Sequence, residues 1–356
     1  MRRDVVRAAA RGERGYAPPA MEHLRIVVPH DRSQRVLDLL LGTPSVCNVV
    51  FLEGTARKPD GDVILADVAR EDTSVVLSDL KELEIHKYGS IALEVIDTQL
   101  SEHAAQAVKD AEGAVADAVV WEEVEEEASE NVELSGAFVA FMLLSALIAA
   151  VGIYLDSPIL IVGAMVVGPE FGPIAGFCVA VVQRRRPLAL RSLVALLIGF
   201  PLAIAAVLAA TLVFKATGLT PETFTQRDHQ LSNVIASPDF FAFFVAACAG
   251  AAGMLSLSTA KSGALIGVLI SVTTIPAAAN VGVSVAYADW PAFRGSLAQL
   301  GINLAAILLA GTATLYVQRL LYRRRRLQHL ADPRRKAAGL PVGRSLRTAR
   351  SRGTSR

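Results

Sequence analysis

The chain has 356 residues, 53% of them hydrophobic and only 19% charged, with a formal net charge of +1 and a mean hydropathy of +0.43. Hydropathy this high argues against a wholly soluble protein, and the small net charge hides an asymmetry between an acidic linker and a very basic tail. Cys47, Cys178 and Cys248 lie far apart and form no Cys-x-x-Cys pair, which argues against a disulfide framework or a zinc site. They read as small packing residues.

Residues 1–20 are Arg-rich without an apolar core, so they read as a disordered basic arm rather than a signal peptide. Met21 opens the first ordered segment and is an alternative start. Residues 21–99 carry four strand-like runs, starting at His23, Cys47, Val63 and Ser90. Amphipathic helices fall between them, one from Asp31 and one from Asp72, and the turn Lys58-Pro-Asp-Gly-Asp62 joins the middle strands. The order βαββαβ predicts a ferredoxin-like domain. No aromatic pair sits on its strands, so nucleic-acid binding is not expected. Residues 100–133 read as an acidic helical linker. Its run Trp121-Glu-Glu-Val-Glu-Glu-Glu is a solvated helix face, a cation-collecting vestibule or a docking site for the basic tail.

Residues 134–320 read as an α-helical polytopic membrane domain of six spans, roughly 134–155, 157–182, 190–215, 239–259, 262–287 and 295–319. Arginines at 184–186 and 323–326 and Lys261 fall on one side, which makes that side cytoplasmic and places both termini there. Tyr154, Tyr287 and Trp290 fall at the outer surface. A shift of about 104 residues lays spans one to three on spans four to six. Gly163 meets Gly267, Pro187 meets Pro291, and Ser192-Leu193 meets Ser296-Leu297. Three spans per copy would invert the second copy, a recurrent transporter design.

Span two is the functional candidate. Pro169 and Pro173 interrupt it, and a proline removes the N–H that the carbonyl four residues earlier would use. Glu170, in the interruption, is the one formal charge near the middle of a span. Burying it costs at least ~2.5 kcal/mol, so it should face a cavity or a partner, or hold a proton. Gly168, Gly172 and Gly176 form a small-residue stripe for helix packing, with Glu170 expected on the opposite side. Span five echoes the break at Thr273, Thr274, Pro276 and Asn280. With Gln299 and Asn303, these residues are expected to complete a polar site opposite Glu170, where interhelical hydrogen bonding is the plainer role of each amide.

No Gly-x-Ser-x-Gly, His-Glu-x-x-His or phosphate-loop pattern occurs, so no enzyme, catalytic residue, metal site or cofactor is expected. The tail, residues 321–356, reads as disordered and bound to anionic lipid. Ile161-Val-Gly-Ala-Met-Val-Val-Gly-Pro-Glu-Phe-Gly-Pro-Ile resembles the signature of the domain of unknown function 389 family of bacterial and archaeal membrane proteins. Ile275-Pro276 and Asn303-Leu304 look like its later landmarks, and the front domain and tail are similar to those of actinobacterial members. The resemblance implies an architecture and no established activity. Glu170 departs from the pattern, standing where members are usually apolar. The expected function is a plasma-membrane transporter or channel for a small ion or solute, regulated by the front domain. The alternative is a scaffold or sensor that anchors that domain and oligomerises it.

Overall fold

This computed structural model describes residues 21–96, 98–111, 119–130, 132–220, 224, 229–258, 274–336 and 338–343. The chain divides into two compact units, Met1–Val120 with Tyr322–Arg356, and Trp121–Leu321.

The first unit is built on a four-stranded antiparallel sheet. In chain order it contains β1 (Met21–Val28), α1 (His30–Gly42), β2 (Val46–Arg57), β3 (Asp60–Ala69), α2 (Arg70–Glu82), the short α3 (Ile85–Tyr88) and β4 (Ser90–Ile96). The strands lie in the order β2-β3-β1-β4. Alternation along β1 puts Leu24, Ile26 and Val28 on the buried face, beside Ile64, Ala66 and Val68 of β3. Val36, Leu39 and Leu40 of α1 and Val76, Leu77 and Leu80 of α2 close over them. The opposite face is partly covered by α4 (Glu102–Asp110), which Ser101 caps. Ala104, Ala107 and Ala111 lie three and four residues apart and pack on Met21 and Ala69. Residues 100–111, expected in the linker, are therefore part of this unit.

The expectation of a disordered tail from residue 321 is corrected for the described residues up to 343. The last helix continues to Leu330, and a 3₁₀ turn follows at Pro333–Lys336. Ala338 and Leu340 then enter the core of the sheet domain. Arg326, His329 and Arg335 converge on Asp79 and Glu82 of α2. The expectation missed that these carboxylates face the basic run, so opposite charges and two apolar anchors order it. Arg326 and Arg335 are thereby engaged by these carboxylates.

The second unit holds α5 (Trp121–Glu130), α6 (Gly136–Tyr154), α7 (Pro158–Val167), α8 (Phe171–Gln183), α9 (Arg186–Ala216), α10 (Gln230–Ile235), α11 (Phe240–Ser258), α12 (Thr274–Ala286) and most of α13 (Trp290–Leu330). Among these, α6, α9, α11 and α13 are long and apolar enough to cross a bilayer. The pair α7–α8, bent by 51° at its break, makes a fifth candidate. The first half of the fifth expected span lies outside the described residues, and α12 is its second half. Leu197, Leu309, Phe240 and Phe241 are among many exposed large apolar side chains on the long helices, as lipid contact requires.

The elements recur at an interval of 103 or 104 residues. Gly136–Tyr154 answers to Phe240–Ser258, Phe171–Gln183 to Thr274–Ala286, and the start of Arg186–Ala216 to that of Trp290–Leu330. Pro173 and Pro276 are each the third residue of their helix. There the missing N–H is one the first turn leaves unused. Arg184 and Ala288, each just before the following long helix, both adopt left-handed backbone, with φ of 60° and 55°.

Candidate functional site

The site begins with local chain chemistry. Helix α7 ends where the Gly168 N–H donates to the Ala164 carbonyl. Pro169 cannot donate to Met165, so the helical ladder stops there. The Pro169 carbonyl is taken up by the Gly172 N–H at 3.3 Å, and α8 starts at Phe171. Glu170 sits in the elbow, only 3% exposed. Its Oε1 accepts a hydrogen bond of 2.9 Å from the Thr274 hydroxyl at the start of α12. Its Oε2 has no hydrogen-bond partner among the described residues. That oxygen lies against Gly168, where an added Cβ would collide with it. The glycine therefore makes room for the carboxylate.

While α8 and α12 recur at 103, Glu170 and Thr274 are 104 residues apart, the interval between α6 and α11 and between the starts of α9 and α13. Other contacts between the halves are reciprocal at the same interval. The Cys178 thiol donates to the Leu308 carbonyl at 3.7 Å. In the mirror position, Gly282 lies against the Ile204 carbonyl and Val207. Gly311, the counterpart of Val207, lies against Cys178. Contacts in which i touches j′ and j touches i′ are what a two-fold axis produces.

Family comparison converges on the same stretch. Residues 165–309 match the family described as Domain of unknown function (DUF389). The matched stretch lies within the helical unit. An uncharacterised protein from Methanocaldococcus jannaschii is 25% identical over 192 residues, 54% of this chain and 57% of that protein. The chain thus spans a little over half the length of that relative. No solved structure matches.

Within the matched stretch the expected polar residues divide into separate groups. Thr274 joins Glu170, while Thr273 lies outside the described residues. Asn280 is committed elsewhere: its Oδ1 accepts from Ser232 at 2.9 Å and its Nδ2 donates to Ser296 at 2.8 Å. Gln299 donates to Asn303 at 3.0 Å, one helical turn along α13. The single polar site expected opposite Glu170 is thus corrected: of the described residues expected there, only Thr274 hydrogen-bonds to the carboxylate. The glycine stripe is corrected too. Gly168 belongs to the break and touches Glu170, because the proline ends α7 before the stripe can continue. Gly172 and Gly176 share α8, and Gly176 packs against Val132, Ala128 and Ser192. The same three-way meeting in the second half is Asn280 with Ser232 and Ser296, each 104 residues further on. Ser232 was missed as a partner. The recurrence of Ser192 as Ser296 was the signal that pointed to this meeting.

At the far ends of α6 and α12, Phe224 is buried among Tyr154, His229 and Tyr287, with ring centroids 4.0–5.6 Å apart. Among the described residues, no group of three or more His, Cys, Asp or Glu is placed to chelate a metal ion.

Proposed function

We propose that this chain is an integral membrane transporter or channel for a small ion or solute. Its membrane unit is read as two inverted halves of three spans each, with six crossings and both termini in the cytoplasm. Glu170 carries a proton or cation at the centre. The ferredoxin-like domain regulates the pathway, and no covalent chemistry is assigned to any residue. The sheet order β2-β3-β1-β4 supports the ferredoxin-like reading. The recurrence and the reciprocal contacts support the inverted halves.

One observation carries the proposal. A carboxylate lies at the break of a bent apolar helix pair, one oxygen bonded to its counterpart residue and the other unpaired among the described residues. Fixing a carboxylate in an apolar bundle costs several kcal/mol unless something compensates it. A scaffold has no use for that expense, whereas a pathway needs a charge that exchanges partners.

The test is charge movement in proteoliposomes across a panel of ion and pH gradients, wild type against Glu170→Gln. The expected result is a current in the wild type that the variant loses. A current unchanged in Glu170→Gln would keep transport and remove Glu170 from it. Silence from folded wild-type protein across the whole panel would sink the transport reading and favour the membrane scaffold.

A further inference from the structure

Buried polar side chains line up along the hairpin of α12 and α13. Thr274, Asn280 and Ser284 lie on α12, and Ser296, Gln299 and Asn303 on α13, each at most 4% exposed. With Ala277 between them, the α12 residues recur at three and four positions, as do those of α13, so each set shares one helix face. The Asn280 Nδ2 donates to the Ser296 Oγ at 2.8 Å, which fixes the register of the hairpin. One turn further from the bend at residues 287–289, that register sets Gln299 level with Ala277. One turn more sets Asn303 level with Thr274, whose hydroxyl donates to Glu170. The ten residues from Ser284 to Thr274 make about 15 Å of helix, half the ~30 Å of a hydrocarbon core. That is the length needed to join one membrane surface to a carboxylate at mid-depth.

Two atoms set this seam apart from ordinary packing. The Ser284 Oγ and the Gln299 Oε1 are buried and have no hydrogen-bond partner among the described residues. A buried polar atom without a partner costs stability, and helix packing gains nothing from it. The first half shows that such a hairpin does not need these groups. Its α8 carries no hydroxyl or amide side chain from Phe171 to Val182. Ala195 and Gly199 stand on α9 where Gln299 and Asn303 stand on α13, and only Ser192 recurs, as Ser296.

We propose that the α12–α13 seam conducts protons between Glu170 and the surface at the 287–289 bend, the outer one on the proposed topology. The inference rests on the reading of Glu170 as a carrier and names the proton as its cargo. Neighbouring groups on one helix face are about 5–6 Å apart, the span of two hydrogen bonds through one water. The unpaired oxygens of Ser284 and Gln299 hold such waters, and the hydroxyls and waters hand protons on. At the last step Thr274 gives its proton to the Glu170 carboxylate and takes another from the water behind it. Glu170 becomes the neutral acid, and the seam is restored. A metal cation needs about six oxygens around one point. The seam instead offers single polar groups spread turn by turn, and none of them is formally charged.

The experiment is infrared spectroscopy of the full-length protein in nanodiscs. The pH is lowered until a carboxylic-acid C=O band appears that Glu170→Gln lacks, and the shift of that band on transfer to D₂O is timed. The expected result is exchange within seconds in the wild type, slowed ten-fold or more in Ser284→Ala and in Gln299→Leu. Ser192→Ala, in the first-half hairpin, should stay within two-fold. Removing an unpartnered hydroxyl strands no other group, so Ser284→Ala should melt as the wild type does. Equal exchange in wild type, Ser284→Ala and Gln299→Leu would overturn the seam, and so would a wild-type band that does not exchange. Seam-dependent exchange in a protein that moves no charge would leave the seam standing and sink the transport reading. A proton current unchanged in both variants would keep transport and sink the seam.

Discussion

At the scale of single residues, the two halves differ in instructive ways. Ala288 holds a left-handed backbone, φ 55°, which costs a residue with a Cβ about 1 kcal/mol relative to glycine. Ala288→Gly should therefore stabilise the protein by up to ~1 kcal/mol, read as a rise in melting temperature in detergent. The gain is reduced by the extra freedom glycine has when unfolded. Asn280 presents the opposite case. It satisfies the Ser232 hydroxyl and carbonyl and the Ser296 hydroxyl, all fully buried. Asn280→Ala should leave those groups unsatisfied and cost ~1–3 kcal/mol. Gly176 occupies the counterpart position and meets only one hydroxyl. The reverse change there, Gly176→Asn, has no room and should abolish folding, which yield and gel-filtration profile would report.

At the scale of elements, the C-terminal segment is the sharpest departure from expectation. Asp79 is fully buried and meets Arg326 at 2.7 Å, His329 at 2.6 Å and Arg335. Burial alone would raise its pKa. The His329 hydrogen bond and the charges of Arg326, His329 and Arg335 outweigh burial and hold the carboxyl below the usual range. A proton therefore binds the unfolded chain more tightly than the folded one. The stabilisation is complete above the ordinary aspartate value of about 4 and is lost as pH falls below it through the lowered folded value. Chemical melts between pH 6 and 3 should show this loss in wild type, and Asp79→Asn should flatten it. Removing one partner strands buried charge, so Arg335→Ala should cost ~3–5 kcal/mol. An equal stability in that variant would mean the segment is held by Leu340 and Ala338 alone.

Whole-molecule organisation shows what the chain declares and what it conceals. Strands rich in β-branched residues, the proline break and the 104-residue repeat are local or periodic signals, and each survives in the structure. The Glu170–Thr274 contact joins the two recurring stretches, but the recurrence alone did not say which residues would meet. The docking of Arg326 and Arg335 on α2 was not legible. A charge run has no period that tells solvent, lipid and a distant carboxylate apart. The same applies to α4, whose three alanines pack only because Met21 and Ala69 leave a shallow surface. The proposed inverted halves make a test at this scale. A cysteine at Trp290 should react with an impermeant thiol reagent only from outside the cell, and one at Arg186, 104 residues earlier at the start of the corresponding helix, only after permeabilisation, both in a background lacking the native cysteines. Labelling of both from the same side would overturn the inversion.

The proposed inversion also bears on how such a molecule can be made. Two identical short chains related by the same axis would have to present the same residue to itself: two carboxylates in repulsion, or two hydroxyls with no charge between them. Joining both halves in one polypeptide lifts that constraint at the single place where it matters. Glu170 can face Thr274 because the halves, though matched in length and contacts, no longer share a sequence. On the proposed inversion, fusion does more than fix stoichiometry; it permits a lone charge where the two halves meet.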